Sequence, residues 1–280
     1  MGTVFELYRY QLLPIDRYLQ GDLVSGITTI EQLLERKNEF LQQALAQTNE
    51  FSSPRTETIT KRLHATSDFI LYRIAANRSI HRETREFEDE YLDNWPSVLV
   101  AIWNDPEVQM LAIQKRTTAF QQSKAVASLI FETVEPYLEK HHLRAHIEPL
   151  FEVQEFWDMI AQYEGRVQEL EFEFLTPNMA NISGTLPDNL KEFAKVMNSA
   201  TNKLSIASDE EAALHVDQSN ETVNGLVDYS AQGGGNISVR IAGIRKRQQT
   251  SRTVKEVELE DMHMEGSAAE ISAALKDLMK

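Results

Sequence analysis

The chain contains no cysteine, which excludes disulfides, thiolate metal sites and cysteine nucleophiles and fits a reducing compartment. No stretch approaches the roughly 18 uninterrupted apolar residues of a membrane span. The opening residues, Met1 to Leu7, lack the basic start and apolar core of a signal peptide. The cytoplasm is therefore the expected location. Phosphate-loop, Rossmann and serine-hydrolase signatures are missing, as is His-Glu-x-x-His, so no motif announces a reaction and no cofactor is indicated. There is no internal repeat or low-complexity tract. Cations are also scarce: 28 Lys and Arg stand against 43 Asp and Glu, a net charge of −15 that disfavours indiscriminate binding to polyanions.

What is present suffices for a sizeable core, since 42% of the 280 residues are hydrophobic. Phe5 to Leu13 reads as a first strand stopped by Pro14. Ile30, Leu33, Leu34, Phe40, Leu41 and Leu45 recur at helical spacing behind Thr28 or Thr29 as N-cap. Thr48 to Thr60, with Ser52, Ser53 and Pro54, has the composition of a loop. Phe69 to Ile74 reads as a strand. Ser97 to Trp103 and Gln109 to Lys115 flank Asn104-Asp105-Pro106-Glu107 and predict a hairpin, because Asn and Asp form local side-chain turns and Pro presets its φ.

From Ser123 onward the pattern alternates. Helices are expected over 125–139, 155–163, 186–199, 221–229 and 268–279, and strands over 144–150, 167–175 and 203–207, with Pro177 stopping the second of these. Asn236 to Arg247 and Thr253 to Glu260 are expected to pair with each other. The sum is an α/β (α+β) protein, a mixed and largely antiparallel sheet with packed helices. It reads as one domain over 1–280, divisible only between a hairpin-rich 1–121 and an alternating 122–280.

Gly233-Gly234-Gly235 invites a phosphate-loop reading, yet the glycines lead from a helix into a strand, the reverse of that motif; a helix stop is the ordinary reading. After them come Arg240, Arg245, Lys246, Arg247, Arg252 and Lys255, with no acid before Glu256. Alternation turns Arg240 away from the core. A cationic β-hairpin of this kind can follow a phosphate backbone, or its charges can simply guard an edge. A second basic group, Arg73, Arg78, His81, Arg82 and Arg85, suits phosphate recognition but stands beside the acids from Glu83 to Asp93, with which it can pair. Arg78 and Arg82 join the first run as candidate ligand-binding residues. His141, His142 and His146 lack metal-site spacing and suit a helix C-terminus. Asp105 and Lys115 resemble part of a nuclease core, but Ile113 stands where its second carboxylate belongs.

Four runs, Phe69 to Arg78, Asn94 to Val100, Phe174 to Met179 and Gly225 to Tyr229 with the glycines, resemble uncharacterised bacterial proteins found with mobile elements and anti-phage defence genes. That resemblance implies a defence-linked role and transfers no functional residue. The leading expectation is a subunit that binds nucleic acid or a phosphate-rich ligand through the cationic hairpin. The alternatives are a protein-interaction or scaffold subunit with an acidic surface, and a divergent metal-dependent nuclease using Asp105, Lys115 or His81.

Overall fold

A computed structural model of the chain describes residues 2–16, 27–52, 56–176, 179–260 and 266–277. The expectations placed on Ser53 and Pro54, on Pro177 as a strand stop, and on the last helix beyond 277 lie outside these residues. No helix among the described residues is long and apolar enough to cross a membrane.

The architecture is mixed α/β, built on two antiparallel sheets. The first strand, β1 (Gly2–Pro14), carries apolar residues on both faces and so takes the middle of the larger sheet. Helix α1 (Ile30–Gln47) follows, capped by the Thr29 hydroxyl as its sequence suggests. Then come β2 (Thr58–Ala65), β3 (Phe69–Ala76), the short pair β4 (Ile80–Glu83) and β5 (Asp89–Leu92), β6 (Ser97–Trp103) and β7 (Met110–Gln114). Helix α2 (Ser123–Lys140) leads to β8 (Leu143–Pro149). With the last strand, β13 (Glu256–Glu260), the larger sheet runs β13-β1-β7-β6-β3-β2, and β8 lies beside the second half of β1. Alternation divides its side chains cleanly. Tyr8, Tyr10 and Leu12 pack with α1 and α2, while Phe5 and Leu7 pack on the opposite face with Phe69, Leu71 and the last helix, α7 (Ala268–Asp277).

The smaller sheet, β10-β9-β11-β12, is built from β9 (Val167–Leu175), β10 (Thr201–Ala207), β11 (Gly235–Ile241) and the two-residue β12 (Gln248–Gln249). Its core is closed by α3 (Val153–Gln162) and α6 (Glu221–Tyr229). The helical turn α4 (Ala180–Ser183) and helix α5 (Asp188–Val196) lie between β9 and β10. The imperfect alternation of Val167 and Leu170 has a structural cause: Arg240 faces Glu169 and Ile241 faces Val167, so a bulge absorbs one residue of β9.

Two expectations are corrected here. Thr58 to Thr60 belong to edge strand β2, which the sequence hides because Lys61, Arg62 and His64 replace an apolar face. The pairing of Asn236–Arg247 with Thr253–Glu260 does not form; β11 turns back on β12 instead, Ser238 opposite Gln249 and Val239 opposite Gln248, with Arg245, Lys246 and Arg247 in the turn between them. Ile237, Val239 and Ile241 are fully buried in the smaller core, so β11 becomes an interior strand between β9 and β12. The final strand, β13 (Glu256–Glu260), instead pairs with Gly2 to Glu6 of β1, where Leu259 joins the other core.

The two sheets meet where α6 ends in one π-helical turn, Ser230–Gly234. Phe151 N donates to Ala231 O at 3.2 Å, and Gln11 Nε2 to Gly233 O at 3.2 Å. Glu148, which faces Arg9 across the β1–β8 pair, is caught at this junction. Burial pushes its carboxyl up to about 7, with Lys124 pulling it down and Glu173 pushing it further up. A carboxyl raised in the folded state contributes stability that is complete below the unfolded pKa and is lost as pH climbs through the folded one. The window is therefore about 4.5 to 7. Glu148→Gln should stabilise the protein by roughly 1–3 kcal/mol at pH 8 and leave it unchanged near pH 4. Urea unfolding at the two pH values measures this; an equal effect at both would assign the change to packing instead of charge.

Candidate functional site: a polar cleft at the start of the second helix

A cleft of about 1030 Å³ opens where the β7–α2 connection crosses the end of β3. Its walls are mostly hydroxyls and amides: Thr56, Thr58, Thr117, Thr118, Gln121, Gln122 and Ser128, with Phe120 and Leu129 as apolar floor. Among the described residues Arg78 and Glu132 are its charged ones.

Arg78 is held from several sides. Its backbone N–H donates to Asn94 O at 2.8 Å, and its carbonyl accepts from Asn94 Nδ2 at 3.3 Å. Its Nε donates to Ala119 O at 2.9 Å, and the guanidinium lies 5.9 Å from the centre of the Phe120 ring. A planar cation fixed through Nε keeps its two terminal amino groups for a ligand. Beside it α2 begins without a side-chain cap and without an acid in its first turn. Gln122 and Ala125, at the start of this 18-residue helix, line the cleft together with Arg78. Ala125, Ser128, Leu129 and Glu132 follow along one helix face. From Ala125 to Glu132 the face extends about 10 Å at roughly 1.5 Å per residue. One end of the cleft is thus suited to an anion, the other to hydroxyl or amine donors.

The opposite side of this helix start is fastened to β1. The Ser123 hydroxyl donates to Glu6 and lies 2.8 Å from the Tyr8 hydroxyl. Burial raises the Tyr8 phenol to about 12, so it remains a donor at neutral pH. Lys115 bridges Glu6, at 3.4 Å, and Glu256. Lys115 consequently serves as a clasp between β7, β1 and β13, while Asp105 sits at the far end of β7 in its turn, where its carboxylate accepts from Glu107 N at 2.8 Å. His81 is on β4, bonded to Asp89 at 2.7 Å. The three residues of the nuclease reading are thus apart. His141 stacks on Phe40 with centroids 4.2 Å apart, whereas His146 is on β8. Among the described residues no group of three or more His, Asp or Glu could hold a metal.

Of the cations expected on one hairpin, Arg240 is on β11, Arg245, Lys246 and Arg247 are in the turn from β11 to β12, and Arg252 and Lys255 are in the connection from β12 to β13. Arg240 is exposed and faces Glu169 across the strand pair. Arg247 pairs with Glu169 at 2.8 Å and Glu171 at 3.8 Å, and Lys255 pairs with Glu152 at 2.9 Å. Arg245, Lys246 and Arg252 are exposed. In the second group Arg82 pairs with Glu90 at 2.7 Å, Arg73 and Arg85 are exposed, and Arg78 alone lines the cleft. The threonines, glutamines, Ser128 and Glu132 of the cleft were not singled out from sequence. Their signal was a polar stripe, Ser128 and Glu132, on a helix whose other faces are apolar.

The fold and cleft define an antiparallel-sheet α/β protein with a polar ligand-sized recess. No family model, curated protein or solved structure matches the chain.

Proposed function

We propose that the chain binds a small phosphorylated ligand of the sugar-phosphate or nucleotide class in the cleft between Arg78 and Glu132. The observation carrying this reading is Arg78 itself, anchored by Ala119 O and Phe120 with its terminal amino groups left toward a recess of about 1030 Å³. That volume lies at the upper end of the range for small-molecule sites. A phosphate at the Arg78 end would accept from the terminal amino groups of the guanidinium. Sugar hydroxyls would meet Ser128 and Glu132, about one and two turns beyond Ala125. The surplus of acid elsewhere favours a compact ligand over a long polyanion. In the defence setting that the sequence resemblance implies, the anion recognised would be a phosphorylated small molecule, not duplex DNA.

Calorimetric titration with AMP, ribose 5-phosphate and inorganic phosphate tests the idea. Saturable binding of the first two is expected. Arg78→Ala should weaken both by roughly 10- to 100-fold, the value of a charge-assisted hydrogen-bond pair. Glu132→Ala should weaken ribose 5-phosphate without affecting inorganic phosphate. Loss of no affinity on replacing Arg78 would end the proposal, as would the absence of binding by any of the three.

A further inference from the structure

Between β3 and β6 the chain leaves the larger sheet to form an arm. Strands β4 and β5 pair only with each other, Ile80 opposite Leu92 and Glu83 opposite Asp89. None of their residues is buried. A two-stranded ribbon with no covered face is marginal on its own. Nevertheless it displays Ile80, Tyr91 and Leu92, at 48%, 75% and 37% exposure.

The tip is more informative than the strands. Thr84 N donates to Glu88 O at 2.9 Å, Phe87 N to Thr84 O at 3.1 Å, and the Thr84 hydroxyl accepts from Glu86 N and Glu88 N at 3.3 Å each. This closed loop holds Phe87 at φ +60°, with the residue 85% exposed. A bulky residue at positive φ is an outlier costing on the order of 1–3 kcal/mol. Among the described residues no packing of the ring offsets it. Around the aromatic, charge is one-sided. From Glu83 to Asp93 stand six acids and the single base Arg85. Asp89 and Glu90 are engaged by His81 and Arg82 inside the arm, which leaves the carboxylates flanking Phe87 directed outward.

We infer that the arm docks into a basic protein partner, with Phe87 inserted in an apolar pocket and Glu86 and Glu88 meeting cations at its rim. A central aromatic with a charged surround is the anatomy of an interface anchor. The acidity of the arm selects a basic partner, and the net charge of −15 opposes both a second copy of this chain and a nucleic acid. The inference is independent of the cleft.

The test places a photoreactive benzoylphenylalanine at position 87 of the full chain in its native cells, with position 193 on exposed α5 as control. The expected result is one dominant crosslinked protein, basic in sequence, absent from the position-193 control. Adding Glu86→Lys and Glu88→Lys should cut its yield by about tenfold while leaving the melting temperature unchanged. Crosslinks only to a second copy, to an acidic protein or to nucleic acid would overturn the inference, as would none at all or a yield indifferent to charge reversal.

Discussion

Asn104→Ala is expected to destabilise the protein by about 3–4 kcal/mol, although it deletes only a small polar side chain, because it strips partners from several buried groups at once. Asn104 is 4% exposed. Its Oδ1 accepts from Tyr10 OH at 3.0 Å and from Asn38 Nδ2 at 2.8 Å, and its Nδ2 donates to Asn38 O at 2.8 Å. Asn38 Oδ1 in turn accepts from Gln109 Nε2 at 3.0 Å. The network ties α1 to the β6–β7 turn and to β1 in the middle of the larger core. Burial raises the Tyr10 phenol well above its ordinary value, which keeps it a donor at every working pH. Denaturant unfolding of Asn104→Ala, Asn38→Ala and the double variant would measure the coupling. The double should cost at least about 1 kcal/mol less than the sum of the singles; simple additivity would mean that the two residues act separately.

That same turn shows how far sequence reasoning reaches. Asp105 does what its position after a strand implies, closing the turn locally through Glu107 N. Asn104 has equal local capacity but turns inward, because α1, some 66 residues earlier, brings Asn38 against it. Nothing within the hairpin encodes that choice. Periodicity exposed α1, α2, β1, β3 and the β6–β7 hairpin because each carries its burial pattern in consecutive residues. It could not identify the partner of β13. Glu256 to Glu260 would suit any strand needing Val257 and Leu259 on one face, and β11 was already committed by Ile237, Val239 and Ile241 to a different core. The candidate site follows the same logic. Arginine spacing made Arg78 visible, but its selection over Arg82 and Arg247 depends on acids brought from elsewhere. Glu169 is on β9 while Arg247 is in the turn before β12, and Glu90 is across a turn from Arg82. The cleft residues were least legible, because Thr117, Thr118 and Gln122 are unremarkable in a connection until Thr56, Thr58, Arg78 and α2 wall them in.

The glycine triplet gives the other large expectation. Gly235→Ala should cost about 3 kcal/mol or more, at the high end for an overpacked site. A Cβ there would lie 2.0 Å from Glu173 O and 2.8 Å from Phe174 Cα, both backbone atoms of β9. No rotamer change can relieve such a clash; β9 and β11 would have to separate at the start of their pairing, where Gly235 stands opposite Phe174. Gly233 is constrained differently. It sits at φ +80°, and a Cβ on it would be 2.4 Å from Arg9 Cβ on the larger sheet. Gly233→Ala should therefore disturb the contact between the sheets, whereas Gly235→Ala disrupts the smaller sheet from within. Hydrogen exchange distinguishes the two. Gly235→Ala should accelerate exchange across β9, β10 and β11 first, and Gly233→Ala should first affect Phe151 N, which bonds Ala231 O at the junction. Identical exchange patterns in the two variants would show that the sheets unfold as a single unit and that the junction is as strong as either core.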